Sequence, residues 1–344
     1  MGKSCISQVG RARLQSCRIP GNMIPALAAE VEHQGLKPAS GSTSFGTAKS
    51  RALRPCVVLV AFLISLAILP ACPRQPHVVV GCKNFTEQII LGELIAQQIE
   101  NKTHLHVERR FYLGGTYIAH QSILAGRIDI YPEYTGTALT AVLKEPPGSD
   151  RKAVYGRVKS EYKQRFHLTL GPPLGFNDTF AIEIRGEDAR RLHLQMLSQA
   201  AAYTPQWRAG FGYEFMERPD GYKGLVATYG LRFATPPRIM DLGLLTRTLK
   251  DHQVDVIAGN MTDGLIPALD LFVLEDDKHY FPPYEAVAVI REQTVAEHPE
   301  VTQALDDLAG NISDAEMRQL NYEVDGKKRD VKEVVREFLR SKGV

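Results

Sequence analysis

The chain has 344 residues, enough for one large domain or two of ordinary size. A content of 44% hydrophobic and 23% charged residues excludes a disordered or fibrous polymer. The 41 basic and 39 acidic groups are unevenly placed: residues 1–71 hold 8 basic and 2 acidic, so the remaining 273 carry a net charge of −4, with no electrostatic footprint for nucleic acid.

Val57–Leu69 is an apolar run broken only by Ser65. It is too short for a membrane-spanning helix, which needs about 20 residues. Arg51 and Arg54 flank it as in a secretory signal. Leu69-Pro70-Ala71-Cys72 resembles a bacterial lipobox, in which the Cys becomes the lipidated first residue. Residues 51–71 therefore read as a signal peptide and 72–76 as a lipidated linker. Residues 1–50, rich in Gly, Ser, Pro and Ala, are either a disordered extension or the product of a start site assigned too far upstream. Cys5, Cys17 and Cys56 fall in the removed part, and acylation of Cys72 would leave Cys82 without a partner, so no disulfide framework is expected. At a strand end, Cys82 reads as a small buried hydrophobe.

His77–Gly81 predicts a buried strand. Asn84-Phe85-Thr86-Glu87 has the spacing of a capping box, and Ile90, Leu94, Ile95 and Ile99 continue it as a helix. Val107–Tyr112 is the next strand, ended by Gly114-Gly115-Thr116. A helix over Ile118–Ala125 stops at Gly126, and a strand over Ile128–Tyr131 is closed by Pro132. This alternation implies βαβ units and a largely parallel sheet. It returns later as helix Leu242–Lys250 and strand Val254–Ala258. Aligning Arg127–Tyr131 with Gln253–Ile257 sets Tyr134 opposite Asn260 and suggests two lobes built alike. Strands are also predicted at Phe180–Ile184, Leu231–Ala234 and Tyr284–Ile290. Ser313–Glu316 is a capping box, and Val331–Leu339 an amphipathic helix ended by Gly343.

No P-loop, G-x-G-x-x-G, G-x-S-x-G or H-E-x-x-H occurs, and His104 and His106 read as a solvated turn rather than a metal site. In open α/β sheets, ligands bind beyond the carboxyl ends of the strands. Lys83, Tyr134, Thr137, Asn260, Thr262 and Asp263 sit there, with Tyr284 opening a strand. Aromatic faces attract cations and Lys or Arg bind carboxylates, so this mixture describes a pocket for a zwitterion. Trp207, with Tyr203, Phe211 and Phe215, reads as core.

Lys83-Asn84-Phe85-Thr86-Glu87-Gln88, Gly114-Gly115-Thr116, Tyr131-Pro132-Glu133-Tyr134-Thr135-Gly136-Thr137, Asn177-Asp178-Thr179-Phe180, Arg218-Pro219-Asp220-Gly221-Tyr222 and Thr262-Asp263-Gly264 occur in that order. From about Val78 onward the sequence resembles the substrate-binding proteins of osmoprotectant ABC importers, the glycine betaine/carnitine/choline group. The resemblance implies an α/β, two-lobed periplasmic-binding-protein fold of type II, with the ligand cleft between lobes. Lobe 1 would comprise 77–179 plus 284–344, and lobe 2 180–283. It implies cage walls at Tyr134, Phe180 and Tyr284 around an ammonium faced by the Asp178 carbonyl. Lys83, Thr137 and Arg218 would take a carboxylate, and Glu214 would pair with cleft groups on closure. Phe180 and Asn260 stand where the group usually has Tyr, which opens the site to a larger or more hydrogen-bonding ligand. The expected protein is monomeric, uses no cofactor or metal, works in the periplasm or on the outer face of the cell membrane through its lipid anchor, and serves an ABC permease and ATPase. A ligand-sensing lipoprotein is the alternative, followed by an enzyme on the same fold.

Overall fold

The computed structural model describes residues 77–343, which fall within one compact unit. The expectations for the leader and for Cys72 lie outside the described residues. Among the described residues there are ten strands: β1 (His77–Gly81), β2 (His106–Arg110), β3 (Ile130–Tyr134), β4 (Leu168–Leu170), β5 (Phe180–Arg185), β6 (Ala209–Gly212), β7 (Arg238–Met240), β8 (Val256–Asn260), β9 (Leu271–Leu274) and β10 (Ala286–Arg291). They form two sheets, ordered β2-β1-β3-β10-β4 and β7-β6-β8-β5-β9, one to each lobe. The chain passes from the first sheet to the second between β4 and β5, and returns between β9 and β10.

Both sheets are mixed rather than largely parallel. β1 runs parallel to β2 and β3, and β6 to β7 and β8. The strands on which the chain enters each sheet from the other lobe are reversed: β5 is antiparallel to β8 and β9, and β10 to β3 and β4. β3 also runs on through Pro132, which lies opposite Ala288. Its pairing with β1 covers only Val80–Ile130, so the N–H that proline lacks has no partner to lose on that side. Leu231–Ala234 is not a strand; the segment precedes Pro236-Pro237 and forms no ladder, with Leu231 N–H donating to the Val226 carbonyl at 3.2 Å and Ala234 N–H to the Trp207 carbonyl at 3.0 Å. Strands β4, β6 and β9 are too short to show a period in the sequence.

The helices used below are α1 (Thr86–Lys102), α2 (Thr116–Leu124), α3 (Arg151–Phe166), α4 (Tyr213–Glu217), α5 (Tyr222–Tyr229), α6 (Leu242–Lys250), α7 (Pro299–Asp306), α8 (Asp314–Asp325) and α9 (Val331–Lys342). α1 packs Ile90, Leu91, Leu94, Ile95 and Ile99 into the core of the first lobe with residues of β1, β3, β10 and the C-terminal helices. Each such side chain contributes roughly 1.5–3 kcal/mol when fully buried. The Asn84 capping box does not form: Phe85 is the N-cap and no side chain caps it. The Ser313–Glu316 box does form at α8, and Gly343 closes α9 in the left-handed region at φ 71°. No helix among the described residues is long and apolar enough to cross a membrane. Cys82 is free and buried, and burial pushes its thiol up to about 12.

Candidate functional site

A cavity of about 380 Å³ lies where elements of the two sheets face each other. Its lining follows from the topology. Lys83, Asn84 and Phe85 come after the carboxyl end of β1, Gly114–Ile118 after β2, and Tyr134 and Thr137 at and after the end of β3. From the second sheet, Tyr213–Phe215 and Glu217–Arg218 follow β6, Asp241 and Leu242 follow β7, and Asn260 ends β8. The two reversed strands contribute from their amino ends: Asp178 and Phe180 at β5, Tyr284 before β10. All nine residues singled out from the sequence as ligand-binding (Lys83, Tyr134, Thr137, Asp178, Phe180, Glu214, Arg218, Asn260, Tyr284) therefore line one cavity.

Four of the aromatic rings around it form two pairs. Phe180 meets Tyr284 edge-on at 5.6 Å between centroids and 77° between planes, while Phe85 stacks on Tyr134 at 6.5 Å and 18°. The protein's own cations lie against these rings. Lys83 Nζ is 5.3 Å from the Tyr134 centroid, and the Arg218 guanidinium is 5.0 Å from Phe180 and 5.7 Å from Tyr284.

Neither cation is uncompensated. Lys83, only 2% exposed, donates to Glu133, whose Oε1 also accepts the Tyr134 N–H at 2.8 Å. Arg218 donates from Nε and Nη2 to Asp220 at 2.9 and 2.5 Å, and from Nη1 to Thr137 Oγ1 at 3.1 Å. Burial alone would disfavour the Arg218 charge, but hydrogen bonding to Asp220 and its negative charge outweigh it and hold the guanidinium above its ordinary range. Asp220 in turn accepts from Tyr284 OH at 2.5 Å and Thr140 Oγ1 at 2.8 Å. A buried charge is tolerated only with such pairing. Two positive charges read from the sequence thus become two neutral pairs, which leave each cation with N–H donors to spare.

Glu214 lies in α4, and Arg218 is the C-cap of that helix, its N–H donating to the Glu214 carbonyl at 2.9 Å. The Glu214 carboxylate reaches across to the first lobe and fills the space beside Gly115, where a Cβ would lie 2.0 Å from Oε1. Asn260 lies opposite Phe180 in the β5–β8 register. Trp207 stacks on Tyr203 at 6.4 Å, away from the cavity lining, while Phe215 belongs both to the lobe-2 core and to the cavity wall.

Sequence reasoning missed Phe85, the countercharges Glu133 and Asp220, and Glu87. Glu87, a capping residue by its spacing, is buried and accepts from Tyr134 OH at 2.7 Å, from Asn321 Nδ2 at 2.8 Å and from Thr262 Oγ1. Its place two residues after Phe85 in the Lys83–Gln88 motif is a signal, but the partners come from 47 to 234 residues away. A neighbouring space of about 250 Å³ shares Asn84, Phe85, Asp241, Leu242 and Asn260 with the first, and is lined further by Glu87, Asp263 and Asp325. Burial raises the Asp263 carboxyl to about 6.

Residues 76–341 match the family described as the substrate-binding domain of ABC-type glycine betaine transport systems, OpuAC. The carnitine transport binding protein OpuCC of Listeria monocytogenes is 37% identical over 265 residues, 76% of this chain and 85% of that protein. The ergothioneine transport permease/ergothioneine binding protein EgtU of Helicobacter pylori is 35% identical over 288 residues, 82% of this chain; the chain spans about half, 51%, of that relative. Among solved structures, a glycine betaine/carnitine/choline ABC transporter protein matches with a TM-score of 0.65 and 36% identity, covering 77% of this chain and 98% of that one. With this fold, this cleft and these relatives, the chain belongs to the OpuAC family of ABC-transporter substrate-binding domains.

Proposed function

We propose that the cleft captures a small solute bearing a quaternary ammonium group, of the betaine, carnitine or choline type, and delivers it to an ABC permease and its ATPase. The observation that carries this reading is the convergence of Tyr134, Phe180 and Tyr284 on one cavity whose ring faces already lie against cations. A face that attracts a guanidinium attracts an ammonium for the same quadrupolar reason. The remaining N–H groups of Lys83 and Arg218, with the Thr137 hydroxyl, would receive an anionic end. Because Glu133 and Asp220 offset both cations, net charge does not demand that end; directed donors favour it. The protein acts by binding, not by turnover, and the crossings beside Thr179 and Pro283 serve as its hinge.

A larger betaine is the second reading. Asn260 puts an amide where a third tyrosine would close the cage, and the cavity adjoins a further space through that residue. One relative is named for ergothioneine. Calorimetric titration of the full chain with glycine betaine, carnitine, choline and ergothioneine tests both. Binding of a small member supports the first reading, binding of ergothioneine alone supports the second, and binding of none refutes the cage. The family works outside the cytoplasm; a monomer tethered through a lipidated Cys72 completes the proposal, and an unmodified Cys72 in the mass spectrum of the mature protein would refute the tether.

A further inference from the structure

Thr262 presents one hydroxyl to two carboxyl groups. Its Oγ1 lies within hydrogen-bond reach of Glu87 Oε2 and 2.7 Å from Asp178 Oδ1. A threonine hydroxyl has a single proton to donate. It can serve one of these oxygens, and the other must bring a proton of its own. The surrounding donors decide which. Glu87 already accepts from Tyr134 OH and Asn321 Nδ2, whereas Asp178 Oδ1 otherwise receives only the Thr262 N–H, at 3.2 Å. The consistent chain runs from the Asp178 carboxyl O–H to Thr262 Oγ, and from the Thr262 O–H to the Glu87 carboxylate.

Among the described residues, no cation pairs with either carboxyl group. The groups facing this cluster are Tyr134 from β3, Asn321 from α8, and the carboxylates Asp263 after β8 and Asp325 at the end of α8. The nearby cations are engaged elsewhere: Lys83 with Glu133, Arg218 with Asp220, and Arg318 of α8 with the Met261 carbonyl at 3.1 Å. Lys328 lines the outer part of the neighbouring space, where it acts on Asp325. Two ionised carboxylates in such a place would repel with little screening.

We infer that Glu87 and Asp178 hold one proton between them through Thr262, and that this shared proton positions the Tyr134 wall of the cleft. Asp178 lies on the segment that crosses between the lobes, Thr262 follows β8 of the second sheet, and Glu87, Tyr134 and Asn321 belong to the first lobe. The cluster therefore pins the crossing to the cage. Burial first, and the Glu87 charge second, drive the Asp178 carboxyl well above its ordinary range; burial also raises Glu87. A carboxyl raised in the folded state stabilises the fold fully below its unfolded pKa near 4 and loses that contribution as pH climbs through its folded value. Loss of the proton leaves two anions across one hydroxyl, and Tyr134 moves with Glu87. Only the role of Tyr134 rests on the ligand reading.

The test uses the unliganded full chain. Infrared absorption of protonated carboxyl groups at pH 7 should fall by one group in Asp178→Asn, whose Glu87 keeps the Tyr134, Asn321 and Thr262 donors to its carboxylate, and by no more than one group when Glu87→Gln is added to it. Two acids protonated independently would lose one group in the single variant and two in the double, an outcome that overturns the shared proton. The melting temperature of the wild type should decline with rising pH above about 4, by up to about 3 °C per pH unit. Either carboxylate variant flattens that slope, Thr262→Val flattens it too, and Thr262→Ser restores it. An unchanged infrared band in the carboxylate variants, or the wild-type slope in both, overturns the shared proton. A failure of glycine betaine to bind would sink the ligand reading and leave this result standing.

Discussion

Tyr134 is fixed from three directions: its N–H donates to Glu133, its hydroxyl donates to Glu87, and its ring stacks on Phe85. Such a ring loses little freedom when a ligand arrives, so its cation–π contribution of on the order of 2 kcal/mol reaches affinity almost undiminished. Tyr134→Ala should weaken binding of glycine betaine about 30-fold, and Tyr134→Phe less, since the face survives while Glu87 loses a donor. Calorimetric titration of the two variants beside the wild type checks both the loss and the order. Tyr134, Phe180 and Tyr284 are legible in the sequence because each stands at or just before one end of a strand within a recognisable order of motifs, whereas Phe85 is not. The countercharges are harder to see. Glu133 accepts the N–H of its own neighbour Tyr134, at the end of β3, but its pairing with Lys83 spans 50 residues of sequence. Asp220, two residues after Arg218, leaves a local signal in the Arg-Pro-Asp spacing.

At the level of elements, the aligned segments Arg127–Tyr131 and Gln253–Ile257 do the same work in the two sheets. Asp129 accepts the Val79 N–H at 2.8 Å and pairs with Arg291 at the end of β10, at 3.1 Å. Asp255 accepts the Arg208 N–H at 2.9 Å and pairs with Arg185 at the end of β5, also at 2.9 Å. Each aspartate thus clamps the start of a central strand to its parallel neighbour and to the reversed strand. This sets Tyr134 and Asn260 at matching strand ends. The equivalence is readable from five residues; the reversal of β5 and β10 is not, because strand direction depends on where the chain re-enters each sheet. Burial alone would raise the Asp255 carboxyl, but hydrogen bonds from Arg208 and Arg185 outweigh it and hold it down at about 2. A depressed carboxylate contributes stability above its unfolded pKa near 3.9 and loses it as pH falls through the folded value. Asp255→Asn should therefore lower the melting temperature by about 5 °C at pH 7 and narrow its difference from wild type between pH 4 and 2. Thermal melts across that range decide it; an unchanged melting temperature would deny the clamp.

Across the whole molecule, closure is set by what crosses from one lobe to the other. Arg218 of the second lobe reaches Thr137, and Tyr284 beside the returning crossing reaches Asp220. Glu214 fills the space beside Gly115, at the N-cap of α2. A two-lobed plan can be inferred from the repeated strand–helix grammar, but these contacts join residues about 65 to 100 positions apart and leave no local pattern. Gly115 has an extended backbone, at φ −80° and ψ −171°, that any residue can adopt, so its requirement is for space and not for conformation. A Cβ there would lie 2.0 Å from Glu214 Oε1 and 2.6 Å from Cδ. An alanine could be accommodated by swinging the carboxylate aside, whereas the branched side chain of Gly115→Val would hold the lobes apart. Binding that depends on closure then loses the fraction of molecules able to close. Gly115→Val should weaken glycine betaine binding by about tenfold or more while the unliganded protein melts within about 2 °C of wild type, since the core of neither lobe is touched. Gly115→Ala should fall between the two. Titration and melting measured on the same preparations separate lost closure from lost folding: a valine variant that binds as tightly as wild type would show that the cleft closes without the Gly115–Glu214 contact.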